Sequence, residues 1–114
     1  MKNNQTTKSK GDHFETKACE ILKQKGFKIV ERNYHAKKLG EIDIIAQNGL
    51  TYHFIEVKSG ESFEAVYNIT SSKLHKLYRS IEYYLKEKKL EVDYCVDAII
   101  FYGEDFEYLE NISF

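Results

Sequence analysis

Apolar positions recur at helical spacing in two stretches of this chain and alternate or run together elsewhere. Between Asp12 and Lys25, Phe14, Ala18, Ile21 and Leu22 stand at i, i+4, i+7 and i+8, which is one face of a helix. Asp12 is placed to cap that helix and Gly26 to end it. Ser72 to Lys88 gives a second, stronger helix, with Leu74, Leu77, Tyr78, Ile81 and Leu85 as its apolar stripe. Three strands are predicted between them. Phe27 to Tyr34 puts Phe27, Ile29 and Glu31 on one face, and Lys37-Lys38-Leu39-Gly40 makes a turn. Glu41 to Ala46 and Thr51 to Lys58 then flank Asn48-Gly49, a strong hairpin signal. Gly60 to Asn68 lacks either period and predicts a mobile loop. Tyr94 to Tyr102 is a hydrophobic strand interrupted by Asp97, and Gly103 turns into a short last strand, Phe106 to Leu109.

The predicted order is therefore α-β-β-β-α-β-β, an α/β pattern suited to a mixed sheet with a helix on each face. Residues 1–10 are polar and predict a frayed tail, with a single domain over residues 11–114. At 114 residues the chain can bury one modest core. Its 42% hydrophobic content, with nine tyrosines and seven phenylalanines, excludes a disordered chain. No apolar run reaches membrane-spanning length and the basic start carries no export signal, so the expectation is a cytoplasmic protein with no membrane partner. Cys19 and Cys95 lie far apart, which suits buried thiols in a reducing compartment better than a disulfide framework or zinc.

Charge adds to this only through its distribution. The net charge is −1, but residues 1–38 hold ten basic against four acidic residues, leaving −7 for the rest. Residues 73–89 are locally basic again, with Lys73, Lys76, Arg79, Lys86, Lys88 and Lys89 against Glu82 and Glu87. Two basic segments framing acidic strands could guide a phosphate backbone; the plainer reading is a set of solvated lysines on helix surfaces.

Strand parity sharpens the chemistry. Glu56 and Lys58 share a face, as do Glu41 and Asp43, with Ile42 and Ile44 opposite. With Asn48-Gly49 as a two-residue turn, Glu41 faces Glu56, and Asp43 faces Phe54, diagonal to Glu56. All four charged groups then fall on one side of the hairpin. Adjacent carboxylates repel unless something neutralises them, and a divalent cation does so. A neighbouring lysine can steady a phosphate or polarise a water, which together is the equipment for metal-assisted phosphodiester hydrolysis. The alternative is a solvated face with Glu–Lys pairing. The four histidines are scattered without metal-ligand spacing, and the tyrosines Tyr78, Tyr83 and Tyr84 fit amphipathic packing better than base stacking. Asp97 needs a buried partner, such as a helix cap or a lysine.

Gly40-Glu41-Ile42-Asp43-Ile44-Ile45-Ala46 followed by Phe54-Ile55-Glu56-Val57-Lys58 resembles the core signature of the YraN-type family. Its members are small bacterial proteins similar to restriction endonucleases and Holliday-junction resolvases. The resemblance extends to Gly11-Asp12 with Glu15 and Ala18, to Arg32-Asn33, to Ile69-Thr70 with Ser72-Lys73, and to Asp97. It implies a restriction-endonuclease-like fold and a Mg²⁺ or Mn²⁺ ion held by Asp43, Glu56 and the Val57 carbonyl. It further implies a role for Lys58 in orienting water or stabilising charge on phosphate. By the same resemblance Glu15 is a further acidic group of the site, Lys73 a phosphate contact, and DNA the nucleic-acid partner. A basic residue that relatives carry shortly after the lysine is absent from Lys58-Ser59-Gly60-Glu61, which loses one phosphate clamp and leaves the metal ligands untouched.

The leading expectation is a divalent-metal-dependent nuclease-like protein acting on DNA. A non-catalytic nucleic-acid-binding module on the same fold is the alternative, and a protein–protein module ranks last. A homodimer is expected if both strands of a duplex are cut symmetrically.

Overall fold

A computed structural model describes residues 7–64 and 69–112. The elements are α1 (Thr7–Gln24), β1 (Lys28–His35), β2 (Glu41–Asn48), β3 (Thr51–Gly60), α2 (Ser71–Glu87), β4 (Tyr94–Tyr102) and β5 (Asp105–Leu109). They form one five-stranded sheet in sequence order. All neighbouring pairs are antiparallel except β3 and β4, which run parallel because α2 carries the chain across one face between them. The expected α-β-β-β-α-β-β order and mixed sheet are those observed. Part of the loop expected at Gly60 to Asn68, residues 65–68, lies outside the described residues.

Each helix covers one face. Leu74, Leu77, Ile81 and Tyr84 of α2 pack on Tyr34, Ile42, Ile45, Phe54 and Val96. Ala18, Cys19 and Leu22 of α1 pack on Phe27, Ile44, Ala46, Ile55, Ile99 and Phe101. Thr70 caps α2, its hydroxyl accepting from the Lys73 N–H at 3.2 Å. Gly26 ends α1 with φ +93°, and Phe27 N–H closes back on the Leu22 carbonyl at 2.9 Å. At its other end α1 starts at Thr7, so Asp12 lies within the helix and does not cap it, and the helix takes in residues the sequence assigned to the tail. The buried stripe of α1 is Glu15, Ala18, Cys19 and Leu22, with Phe14 and Ile21 only partly covered. In α2, Tyr84 takes a core place that the apolar stripe gave to Leu85.

Two further expectations change. The hairpin pairs Asn48 with Thr51, so the loop is Gly49-Leu50 rather than Asn48-Gly49. Gly49 has φ +64° at the first central position, the conformation a two-residue turn asks of glycine there. Phe54 consequently faces Ile45, not Asp43. In β1 the register shifts between Ile29 and Glu31, and this bulge sends Glu31 to the face opposite Ile29. Both cysteines are free; Cys19 is buried, whereas Cys95 is only half-buried.

Asp97 is fully buried in β4 and supports the far side of the sheet. Its carboxylate takes the His53 Nδ1 at 2.6 Å, the Tyr108 hydroxyl at 2.5 Å and the Asn111 N–H at 2.7 Å. The partners are neither a helix cap nor a lysine; they tie β3, β5 and the segment after β5 to one side chain. Removing that acceptor strands three polar groups, of which His53 is buried. Asp97→Ala should therefore cost about 3–5 kcal/mol, read from the urea midpoint at unchanged slope.

Candidate active site

The site is built where β2 and β3 part. Their pairing ends at Ile44 opposite Ile55. Beyond it, Val57 N–H donates to Asp43 Oδ2 at 2.8 Å, so a side chain takes a donor at the place where the ladder stops. Regular alternation ends at the same point. Ile42 belongs to the core under α2 and Ile44 to the core under α1, although a pleated strand would keep both on one face. The expectation that Ile42 and Ile44 share a face is thereby corrected. The strand turns over at Asp43, and its carboxylate points into the gap beside Val57.

That gap is accessible from both layers. Glu56 and Lys58 alternate with Ile55 and Val57, which pack towards α1, so the two charged side chains face α2. Lys73, in the first turn of α2, stands beside Lys58, and its charge acts on both Lys58 and Glu56. From the α1 side comes Glu15, 8% exposed, whose charge reaches both Asp43 and Glu56. Gly40 admits α2 to this end of the sheet. It has φ +146°, and a Cβ there would lie 3.0 Å from the Ser80 hydroxyl. Glu41 is exposed and stands 3.7 Å from His35 Nδ1, beside the site rather than in it.

The electrostatics follow from this crowding. Burial, then the Glu56 charge, pushes the Asp43 carboxyl up to about 7, against the pull of the Val57 N–H. Burial raises Glu56 as well, although Lys58 and Lys73 oppose it. Glu15 is raised by burial, with Asn33 and Arg32 drawing it back. Burial and the neighbouring Lys73 ammonium lower Lys58, with Glu56 opposing. Like charges thus stand in adjacent pairs, carboxyl by carboxyl and ammonium by ammonium. A cation relieves the first pair and an anion the second.

The sequence-derived residues Asp43, Glu56, Val57, Lys58, Glu15 and Lys73 therefore meet at one end of the sheet. Among the described residues, no three His, Cys, Asp or Glu side chains converge as a metal cage. Asp43 and Glu56 could supply two carboxylates, and the Val57 carbonyl a third oxygen, with waters or phosphate completing the shell. That hard, incomplete oxygen set fits Mg²⁺ or Mn²⁺ and does not suit zinc. Sequence reasoning gave no role to Asn33, which lies in the left-handed region (φ 52°) between the paired positions Arg32↔Ile44 and Tyr34↔Ile42 and so stands opposite Asp43. An asparagine in a strand otherwise rich in β-formers was the available signal.

The profile of the uncharacterised protein family UPF0102 matches residues 14–101. A UPF0102 protein of Sulfurovum sp. is 52% identical over 104 residues, covering 90% of this chain and 92% of its own length. One from Aliarcobacter butzleri is 51% identical over 94% of this chain and 98% of its own. Among solved structures, Hjc of Archaeoglobus fulgidus, a Holliday junction resolvase, superposes with a TM-score of 0.54 at 17% identity. The match covers 86% of this chain and 73% of the other, and it supports the expected restriction-endonuclease-like fold. No described helix is long and apolar enough to cross a membrane.

The raised Asp43 carboxyl sets a sign for stability. The folded protein keeps a proton that the unfolded chain loses near pH 4, so this contribution is full below that pH and is lost as pH rises through about 7. A cation bound at the pair competes with that proton. Mn²⁺ should then raise the melting temperature more at about pH 8 than at about pH 5.5, and Asp43→Asn should remove the difference. Equal gains at both pH values would place the ion elsewhere.

Proposed function

We propose that this chain, which belongs to the uncharacterised protein family UPF0102, is a divalent-metal-dependent nuclease-like protein that binds DNA and hydrolyses its phosphodiester bonds. The observation that carries this reading is the meeting of two half-buried carboxyls, Asp43 and Glu56, with Lys58 and Lys73 at the break where Val57 N–H turns to Asp43. Asp43, Glu56 and the Val57 carbonyl would hold Mg²⁺ or Mn²⁺. When bound, the ion supplies Lewis-acid polarisation of a phosphoryl oxygen and a more acidic water.

The chain's own groups do the rest. Lys58 orients the attacking water and offsets charge on phosphate, and the water's proton passes to solvent as its oxygen bonds to phosphorus. The bond from phosphorus to the leaving oxygen breaks, and that oxygen takes a proton from solvent. Lys73 keeps its charge for the phosphoryl oxygens, and Glu15 accepts a hydrogen bond from the attacking water.

DNA approaches over α2. Lys73, Lys76 and Arg79 are exposed along that helix, and a shallow groove there is lined by Ser71, Ser72, His75, Lys76 and Arg79. The turn after β4 and the start of β5 lie at the same end of the sheet but towards its β5 edge, where Glu104, Asp105 and Glu107 repel phosphate and leave the α2 side as the approach. Two copies are needed for symmetric cleavage of both strands. The free cysteines fit a reducing cytoplasm.

A non-catalytic DNA-binding module is the second reading, favoured by the missing basic residue after Lys58-Ser59-Gly60-Glu61 and the net charge of −1. One pair of measurements separates them. Mn²⁺ titrated into isotope-labelled protein should broaden amide signals around residues 43 and 56–58, and Asp43→Asn should abolish both the broadening and DNA cleavage. DNA affinity should persist in that variant and fall with salt at a log–log slope of about −3 to −4, from Lys58, Lys73, Lys76 and Arg79. Salt-sensitive binding with no broadening at the hairpin would assign the non-catalytic reading; binding that ignores salt would sink both.

A further inference from the structure

Three irregularities converge on Arg32 and Asn33. The first is unsatisfied chemistry. Glu15 is 8% exposed, yet among the described residues its Oε1 has no hydrogen-bond partner, and the buried Arg32 Nε has none either. Arg32 Nη2 stands 3.7 Å from that same Oε1 and 3.4 Å from the Asp12 carbonyl oxygen, close enough for attraction but short of a closed ion pair. The second is the bulge between Ile29 and Glu31. The third is the left-handed Asn33, opposite Asp43, with its side chain hydrogen-bonded to the Glu15 carboxyl.

The two backbone irregularities cancel outside the segment between them, which holds Glu31 and Arg32. Ile29 packs under α1 and Tyr34 under α2. A strand alternating regularly from Ile29 would already place Tyr34 correctly, but it would turn Arg32 towards α2 with it. With the bulge and the left-handed residue, Ile29 and Tyr34 keep their faces. Arg32, paired with Ile44, is instead delivered to the α1 side, against Glu15. Bulges re-aim side chains in this way, and a non-glycine residue at positive φ persists where the surroundings impose it. Core packing gains nothing from the exchange.

We infer that Arg32 and Asn33 are positioning residues that fix the Glu15 carboxylate beside Asp43 and Glu56. This rests on the nuclease-like reading for what the carboxylate does, but not for the geometry. Arg32 touches neither the proposed metal ligands nor substrate; it acts through Glu15, and Asn33 supplies both the amide and the backbone turn.

The test turns on a sign. Removing a cation from beside an acidic site should, on charge alone, tighten Mn²⁺ binding. A positioning role demands the opposite: Arg32→Gln should weaken Mn²⁺ broadening at residues 43 and 56–58 by about tenfold, with partial recovery in Arg32→Lys. Asn33→Gly, which accepts the left-handed backbone without strain and loses only the amide, should weaken it too. Unchanged or tighter binding in Arg32→Gln overturns the inference. If the wild-type protein shows no Mn²⁺ site, the functional reading fails separately, and the metal-free protein decides. There, the Glu15 side-chain carboxyl resonance should titrate at higher pH in Arg32→Gln and in Asn33→Gly than in the wild type. A resonance that both substitutions leave in place overturns the inference.

Discussion

The hydrogen bond from Val57 N–H to the Asp43 carboxylate is the constraint on which the candidate site depends. A sheet satisfies its backbone by pairing strands, and a strand that leaves the ladder must find other partners for its donors and acceptors. Here one aspartate supplies the acceptor, so β2 can turn over while β3 runs on in register with β4 from Tyr52 to Gly60. The opening this creates is bordered by both layers of the fold. Glu15 can reach it from α1 and Lys73 from α2, which a continuous sheet would have kept apart.

What fills that opening is electrostatically unfavourable in the bare protein. Burial raises both carboxyls, with the Glu56 charge adding to it at Asp43, and burial together with Lys73 lowers Lys58. Structural ion pairs usually arrange opposite charges next to each other, because that offsets desolvation. Here the carboxyls are grouped on one side and the ammonium groups on the other. A cation would relieve the first group and an anion the second, and this separates the candidate site from the Asp97 cluster. In that cluster a single buried carboxylate is engaged by His53, the Tyr108 hydroxyl and the Asn111 N–H.

Much of this was legible in the sequence, for reasons that differ by element. The second helix was read to within one residue at each end, because its apolar spacing and a capping threonine leave little freedom. The order of elements gave the mixed sheet, and the Gly40–Ala46 and Phe54–Lys58 segments gave the acidic pair and its lysine. The hairpin loop was placed one residue early, since Asn48-Gly49 and Gly49-Leu50 both put glycine in a turn; the error preserved parity and so did little harm. The turnover at Asp43 and the flip at Arg32-Asn33 were not legible. Periodicity assumes a regular pleat, and both depend on contacts between strands and helices far apart in sequence. The partners of Asp97 were missed for the same reason: His53, Tyr108 and Asn111 reach it only once the sheet has formed.

β1 is also an outer strand of the sheet, with no strand beyond it among the described residues. A flat outer strand of eight residues would be a template on which another chain could add itself. The bulge at Ile29/Glu31 and the left-handed Asn33 interrupt that row of free donors and acceptors twice within five residues. A β1 made regular, for example by selecting for higher strand propensity, would lose its hold on Glu15 and gain an adhesive border. Distortions that shape a binding site thereby also keep neighbouring molecules in solution from joining their sheets.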